Sequence, residues 1–443
     1  MVSNPFDCYL GDIEASLWGD FEDVNLLSEN TTGYTVLSEK ANQISQILQP
    51  ISDKVSQSLE MPVNLLEFFS PENIERFLDL FWNRWYQHCP IVHKASFDLG
   101  NCSIILLTTM SLAGACMSAR KKELLFADPL FSETVVSVPE RSTYLGANQN
   151  VQILQAACFM CLLQKWEGDK AAKLRMQRHR FTAIVAATRA MGLSHSIHHR
   201  PSFNSKVTLG EFREYMVKEQ LIRTFNHVFL LDSAFVIFHN SVPRMVLQEM
   251  TIDLTCPEEV FQAPNQEEFV IATNLHLVGS GSPLLTDCVR SLCAENPDPA
   301  IIEKLHGESA LNLFTIVTAI HGLIFHQLRA FSPFPLATTP LKKALERWEL
   351  AWATRNRNIS ESNGERKAGQ GCPAFFERAG EFALLARIHV EKSYISVTEW
   401  DDMITNLSEE PFQKTDKYLA TFDQTGMDHV ADLMLAVQNL DLN

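Results

Sequence analysis

Apolar residues recur at spacings of three and four along most of the chain after residue 60, which is the pattern of amphipathic α-helices. Ser70-Pro71-Glu72 supplies a capping hydroxyl, a proline for the first helical position and an acid, so a helix is expected from there to just before Pro90. Further helices are expected over residues 103–118, 151–166, 266–278, 283–294, 299–331, 340–356, 373–395 and 427–440.

Local signals also place helix ends in the middle of the chain. A helix that opens at Gly168-Asp169 can be closed by Gly192, because glycine readily adopts the left-handed conformation of a C-terminal cap. Thr208 and Glu211 have the spacing of a capping box, which predicts a long helix up to about Asn240. Strand alternation is seen only near Thr134–Val138, so the predicted fold class is all-α.

Composition supports a large folded body with acidic ends. The chain has 443 residues, 46% of them hydrophobic, and a formal charge of -16, which excludes disorder over its whole length. Residues 1–60 carry ten acids and two bases, as do residues 395–443, so the middle holds 33 acids and 33 bases. We therefore divide the chain into an N-terminal tail over 1–60, expected to be disordered, a helical region over 61–268 and its helical continuation over 269–443.

The tail interleaves acidic residues with large apolar ones, which is the composition of transcriptional activation segments. The residues expected to contact a coactivator are Phe6, Trp18, Phe21, Leu26 and Leu27. An equally supported alternative is an acidic terminus whose aromatic side chains pack on the helical body.

The charge distribution argues against tight nucleic-acid binding, because no segment has the basic excess that neutralises phosphates. The ten cysteines are dispersed and no export signal precedes the acidic start, so reduced thiols in the cytosol or nucleus are expected. The uncharged stretches Leu99–Ala119 and Ser309–Leu328 are long enough to span a bilayer but contain several polar residues, so we interpret both as buried helices rather than as parts of a membrane protein.

The sequence contains none of the common catalytic signatures, and we predict no catalytic, cofactor or metal site. Cys158 and Cys161 have metal-ligand spacing but lie in an apolar helical pattern, which favours core cysteines. Two further patterns have a structural and a functional interpretation. The first is a group of three histidines, which forms either a polar loop or a metal site: His195, His198 and His199. The second is the basic stretch Lys170–Arg180, which forms either a solvated helix face or a nuclear import signal.

Three blocks, in order along the chain, resemble the fungal-specific transcription factor regulatory domain, the middle homology region of fungal zinc-cluster activators. The first block is Leu80–Asp98, with family-type residues at Pro90, His93, Phe97 and Asp98. The second is Leu154–His195, which ends in the Gly192-Leu193 pair. The third is Glu219–Met245, in which the matching residues are Arg223, Thr224, Phe225, Leu231 and Asp232. It departs from the pattern at Asn226, where tryptophan is usual, and at Ser241-Val242-Pro243, where Gly-Arg-Pro is usual.

The resemblance implies an all-α body, nuclear localisation and control of transcription without catalysis or cofactors. Relatives usually carry a zinc DNA-binding module before this region, whereas only residues 1–60, with the single cysteine Cys8, precede it here. We therefore expect weak or no direct DNA binding. The chain would act through a DNA-binding partner protein or a coactivator, as a homodimer or heterodimer, or as a decoy that sequesters such a partner. Analogy with the family suggests an activator of secondary metabolism. The alternative function is an α-helical ligand-binding protein or enzyme with a pocket lined by buried His321 and His326.

Overall fold

The structure, a computed structural model, describes residues 31–59, 65–118, 147–166, 170–192, 197–198, 207–275, 283–329, 338–362 and 375–391. Over this part of the chain the backbone is helical, and its β pairing is limited to an isolated bridge between Asp253 and Leu284. The all-α prediction is therefore confirmed. The expected helix at 427–440 and the strand-like stretch at Thr134–Val138 lie outside the described residues.

The described residues form two compact units. The N-terminal unit comprises those within Asp20–Val228 and Glu258–Gly281. Its helices are α1 (Thr31–Leu59), α2 (Leu65–Phe68), α3 (Pro71–Leu80), α4 (Ile104–Cys116), α5 (Ala147–Trp166), α6 (Lys170–Arg175), α7 (Phe181–Ala190), the first two thirds of α8 (Leu209–His239), α9 (Glu258–Phe261) and α10 (Gln266–Leu275). Phe81–Trp85 and Met176–Arg180 are single π-helical turns, and Tyr86–His88 and Lys94–Ser96 are 3-10 turns.

Several helix ends lie where the sequence predicts them. The Ser70 hydroxyl accepts the N–H of Asn73 at 3.3 Å, and Pro71 is the first residue of α3. Gly192 has φ +88° and follows the last turn of α7. Glu211 accepts the N–H of Thr208 at 2.8 Å and donates its own N–H to the Thr208 hydroxyl at 3.3 Å, which confirms the capping box of α8.

Helix α1 corrects the boundary of the predicted tail. Residues 31–59 form a helix, and its buried side chains Leu37, Ala41, Ile44 and Leu48 follow a 4-3-4 spacing. The Lys40 ammonium donates a 2.8 Å hydrogen bond to the carbonyl of Cys102, which joins α1 to the start of α4. A charge count over 60 residues hid this apolar stripe, because most of the acids lie before residue 30. Residues 1–30 lie outside the described residues.

Helices α3 and α4 pack closely at Gly114. A Cβ atom built on Gly114 would lie 1.8 Å from the carbonyl oxygen of Phe77, so this contact accommodates no side chain. The π-helical turn that continues α3 places Phe81 and Trp85 beside Phe159 of α5, with ring centroids 4.8–5.5 Å apart. All three rings are fully buried and form the aromatic centre of the N-terminal unit.

The C-terminal unit comprises the described residues within Phe229–Pro257 and Ser282–Asn443. It contains the end of α8, a 3-10 turn at Leu247–Glu249, α11 (Leu285–Cys293), α12 (Pro299–Leu305), α13 (Ala310–Arg329), α14 (Thr339–Ser362), a 3-10 turn at Phe375–Arg378 and α15 (residues 379–391). Trp348 of α14 is fully buried, and its indole N–H donates to the carbonyl of Leu313 in α13 at 2.8 Å.

Two predicted boundaries in this unit were wrong. The single helix expected over 299–331 is two helices, because the chain turns at Gly307 and the Ser309 hydroxyl then accepts the N–H of Asn312 at 3.2 Å to start α13. Helix α14 also continues beyond the predicted end at residue 356, as far as Ser362. The apolar periodicity of 299–331 concealed the break, since apolar residues stand on both sides of it.

Helices α8 and α13 are long and apolar enough to span a membrane by length and composition, but 83% and 67% of their apolar windows are buried within the structure. Core helices meet the same criteria. The expected buried stretch Leu99–Ala119 yields α4, which has only 13 residues.

Candidate functional site

A strongly charged interior site lies in the N-terminal unit around Arg223 of α8. This side chain is 1% exposed. Its Nε donates to Glu219 Oε1 and its Nη1 to Glu258 Oε2, both at 2.8 Å. The guanidinium also lies 3.8 Å from the centre of the Phe261 ring, a cation–π contact. We call Arg223, Glu219, Glu258 and His198 the Arg223 network.

The network connects the first and third sequence blocks. Arg223 Nη1 donates to the carbonyl of Pro90 at 3.4 Å, so the proline motif and the arginine motif are in contact although 133 residues separate them. The Tyr86 hydroxyl, which donates to the carbonyl of Val92 at 2.8 Å, also accepts the Gln262 amide at 3.1 Å. These bonds join the loop after α3 to α8 and α9.

His93 is held in place by polar partners on all sides. Its backbone N–H donates to Gln220 Oε1 at 3.1 Å, and its ring nitrogens lie 2.8 Å from the Ser96 hydroxyl and 3.2 Å from the carbonyl of Ala263. Burial lowers the pKa of His93, which keeps the ring neutral and makes it a weak base. The contact with Ser96 therefore orders the turn at Lys94–Ser96 and has little of the basicity that activates a nucleophile.

Glu219 is fully buried and nevertheless ionised. Burial raises its pKa, but the hydrogen bond from His198 and the charge of Arg223 outweigh burial and lower the pKa to about 2. His198 Nε2 lies 2.7 Å from Glu219 Oε2, and the imidazole stacks on Tyr215 with ring centroids 4.1 Å apart. The loop supplies no carboxylate to orient its histidines, but Glu219 of α8 supplies one.

The metal interpretation of the histidine loop gains no support from this geometry. His195 and His199 lie outside the described residues, and no group of three or more metal-ligating side chains occurs among those described. His198 instead anchors its loop to α8. The basic stretch Lys170–Arg180 presents exposed Lys173, Arg175 and Arg178, as the solvated-face interpretation expects.

The remaining motif residues of the N-terminal unit have packing or turn-forming roles. The Phe97 ring contacts Trp82 edge-on at 5.4 Å, and Asp98 Oδ1 accepts the N–H of Gly100 at 3.0 Å, which closes the turn before α4. The Thr224 hydroxyl donates to the carbonyl of Gln220 at 2.6 Å, and Phe225 is fully buried. Leu193 lies outside the described residues, as do the five predicted activation residues of the tail.

Cys158 and Cys161 are fully buried in α5, which confirms their interpretation as core cysteines. Burial raises the pKa of the Cys161 thiol, so this group stays protonated and is a poor metal ligand.

The glutamates of the Arg223 network were the residues that sequence reasoning missed. Glu219 has a local signal, its four-residue spacing from Arg223 on a helix, whereas Glu258 has none because 35 residues separate it from Arg223.

Leu231 and Asp232 of the third block belong to the C-terminal unit. Asp232 Oδ2 accepts the backbone N–H of Arg244 at 2.8 Å and of Met245 at 2.7 Å, which fixes the chain after the divergent Ser241-Val242-Pro243. Burial raises the pKa of Asp232 to about 6. The motif aspartate therefore shapes the loop that follows α8.

A cavity of about 220 Å³ lies in the C-terminal unit next to Asp232. Its lining is mainly apolar and includes Phe229, Val236, Pro243, Met245, Ala319 and Leu323, with Asp232, Ser233, Gln248 and His326 as polar members. The prediction that His326 is buried was wrong, because it is exposed at this cavity near the end of α13. His321 is buried as expected, with Nε2 2.8 Å from the carbonyl of Phe382, and lines no part of the cavity.

Acid is expected to destabilise the N-terminal unit through His227, one helical turn after Arg223. Burial lowers the pKa of His227 from 6.5 to about 4, so the unfolded chain binds a proton that the folded chain does not. This contribution to stability is complete above pH 6.5 and is lost as the pH falls to 4, which removes up to about 3 kcal/mol from the free energy of unfolding. Urea unfolding at a series of pH values measures the loss.

His227→Gln provides the test of that assignment, since glutamine has no charge to gain. This variant should show a smaller loss of stability between pH 7 and 4, whereas replacement of the exposed His179 by Gln should leave the wild-type pH dependence unchanged. An undiminished loss in His227→Gln would assign the acid sensitivity to other groups.

Comparison with known proteins gives a domain match across both units. The family model described as fungal specific transcription factor domain matches residues 78–348. The chain is 32% identical over 408 residues to the protein named Transcription factor verF of Penicillium polonicum, a match that covers 85% of this chain and 54% of that protein. It is 20% identical over 215 residues to the Zinc finger protein zas1 of Schizosaccharomyces pombe, covering 47% of this chain and 24% of that protein.

The chain thus spans about half the length of the first relative and about a quarter of the second. No solved structure matches it. The matched region includes all three sequence blocks, the whole Arg223 network and the whole cavity lining in the C-terminal unit.

Proposed function

Because the chain belongs to the fungal specific transcription factor domain family, a family of transcription regulators, we propose that it regulates transcription in the nucleus. The observation that carries the proposal is the domain match over residues 78–348. The motif residues Pro90 and Arg223 contact each other in the interior of the N-terminal unit, so the family signature supports a folded regulatory body and requires no catalytic function.

We propose further that this chain reaches promoters through a DNA-binding partner protein, in a homodimer or heterodimer. The region between residues 60 and 395 carries as many acids as bases, whereas tight binding to duplex DNA needs a basic surface that releases counterions. The acidic, aromatic residues 1–30 are the segment suited to recruit a coactivator, because acids keep such a segment solvated while its large apolar side chains enter a groove on the partner. The proposed targets, the genes of a secondary-metabolite cluster, rest on analogy with the family.

A reporter assay tests the activating part of this proposal. The full chain, fused to an unrelated DNA-binding module, should activate a reporter gene in a fungal host. Replacing Trp18, Phe21, Leu26 and Leu27 together by Ala should reduce the signal to that of the module alone, since these side chains supply the apolar contacts to the coactivator.

The matched control replaces two exposed leucines of the body, Leu350→Ala and Leu384→Ala, and should keep full activation. Equal protein levels are checked by immunoblot. A full-chain fusion that leaves the reporter at the level of the module alone would contradict an activator, and an unchanged signal from the fourfold variant would remove the N-terminal segment from the mechanism.

A further inference from the structure

We propose that a basic surface of the N-terminal unit binds the acidic residues 1–30 of the same chain. The surface runs along α6, the π-helical turn at Met176–Arg180 and α7. Docking there would compete with the recruitment of a coactivator by residues 1–30. That consequence rests on the proposed function, whereas docking itself does not and is measured without reference to transcription.

The charge of this surface has one sign. Residues 170–192 contain six lysines and arginines and no aspartate or glutamate, although the whole chain has a formal charge of -16. Four of the basic side chains are exposed: Lys173, Arg175, Arg178 and Arg189. A surface of this kind attracts an anionic partner over about one Debye length, which is about 10 Å at 0.1 M salt.

The exposed positions form a continuous stripe. They recur at spacings of four, four, four and three, which keeps them on one side of a helical segment: Leu174, Arg178, Thr182, Ala186 and Arg189. Arg178 and Arg189 lie about 16 Å apart along a helix, with only small side chains between them on the stripe. Leu174 is 40% exposed and adds an apolar contact beside the bases. A peptide that lies along the stripe therefore meets both cations and an apolar side chain.

Residues 1–30 are the complementary segment. They contain seven aspartates and glutamates and no lysine or arginine, together with large apolar residues such as Trp18 and Phe21. The segment ends where α1 begins, at Thr31 in the same unit. Thirty extended residues reach up to about 100 Å, more than the width of a folded unit of about 200 residues. Because a short tether gives an effective concentration on the order of 1 mM, a Kd near that value suffices for half occupancy.

Zero-length cross-linking of the full chain tests the docking. A carbodiimide joins a carboxylate to a lysine amine where the two are in contact, and mass spectrometry of proteolytic fragments identifies the joined residues. Residues 1–30 should link to Lys173 at least about fivefold more than to Lys94, an exposed lysine of the same unit that an undocked segment would reach as well. Salt at 1 M should remove this preference, because it shortens the Debye length to about 3 Å.

Two charge-matched variants locate the surface. The first removes three charges from it and keeps Lys173 as the reporter: Arg175→Gln, Arg178→Gln and Arg189→Gln. This variant should lower the links between Lys173 and residues 1–30 at least about fivefold, since three ion pairs are lost. The control removes three exposed arginines elsewhere and should stay within about twofold of the wild type: Arg213→Gln, Arg290→Gln and Arg357→Gln. Circular dichroism verifies that both variants fold.

Three outcomes would overturn the proposal. The first is an equal yield of Lys173 links in the two variants, and the second is a wild-type chain without a salt-sensitive preference for Lys173 over Lys94. These wild-type comparisons decide the question if the first variant does not fold. The third is linkage between chains in a mixture of nitrogen-14 and nitrogen-15 protein, because residues 1–30 would then dock on a second copy.

Discussion

Replacing Arg223 with methionine should destabilise the N-terminal unit by about 3–5 kcal/mol, the largest effect we expect from a single side chain. Methionine keeps much of the length and the helix propensity of arginine but removes its charge. Glu219, which has no exposed surface, would then keep a buried negative charge that contacts His198 but no longer the guanidinium one helical turn away. Glu258 is half exposed, so losing its ion pair with Arg223 adds little to the destabilisation. Urea unfolding followed by circular dichroism measures the change.

Two further variants separate the buried charge from general effects of the substitution. Arg213→Met changes an exposed arginine of the same helix and should cost less than about 0.5 kcal/mol. Combining Arg223→Met with Glu219→Gln removes this buried negative charge and should recover more than half of the lost stability. If Arg223→Met alone costs under about 1 kcal/mol, the network does not hold the first and third sequence blocks together.

Gly114→Ala should lower the free energy of unfolding by about 3 kcal/mol, the second largest effect we expect, although it adds a single carbon atom. The new Cβ atom would lie 1.8 Å from the Phe77 carbonyl oxygen, and real Cβ contacts essentially never fall below 3.0 Å. Helices α3 and α4 would therefore have to separate by about 1.2 Å, the difference between these distances, which also disturbs the aromatic rings after α3. Thermal unfolding of the full chain reports the loss as a lower midpoint.

Gly322→Ala is the matched control, because it makes the same chemical change in another helix interior. No atom lies within 4 Å of its added Cβ, so the variant should be neutral or more stable by up to about 1 kcal/mol. A loss of stability in Gly114→Ala together with a gain in Gly322→Ala would establish that close helix packing, rather than helix propensity, requires glycine at 114. A Gly114→Ala protein as stable as wild type would contradict the packing of α3 on α4.

Local capping chemistry explains why much of the fold could be predicted from the sequence. Ser70, Gly192 and Thr208 act on residues within one turn of themselves, so each is readable without knowledge of the tertiary structure. The break at Gly307 was missed because apolar periodicity continues across it. Helix α1 was missed because charge was counted over a window longer than the apolar stripe that decides its burial.

The candidate sites were predictable only in part, because they depend on contacts between distant segments. Arg223 was singled out as a motif residue, but its contacts with Pro90 and Glu258 join positions 133 and 35 residues away, and no local pattern reports them. The lining of the cavity beside Asp232 comes from the end of α8, residues 243–248 and α13, which no local pattern connects. Such features follow from packing, and packing is determined by the whole chain at once.

The π-helical turn at Phe81–Trp85 has a consequence for evolutionary comparison. A π turn spans one residue more than an α turn, so it absorbs an insertion without rotating the helix that precedes it. Relatives that lack one residue between Leu80 and Tyr86 can keep every later contact by closing this turn to α geometry. Alignments of the first sequence block should therefore permit a one-residue gap at this point.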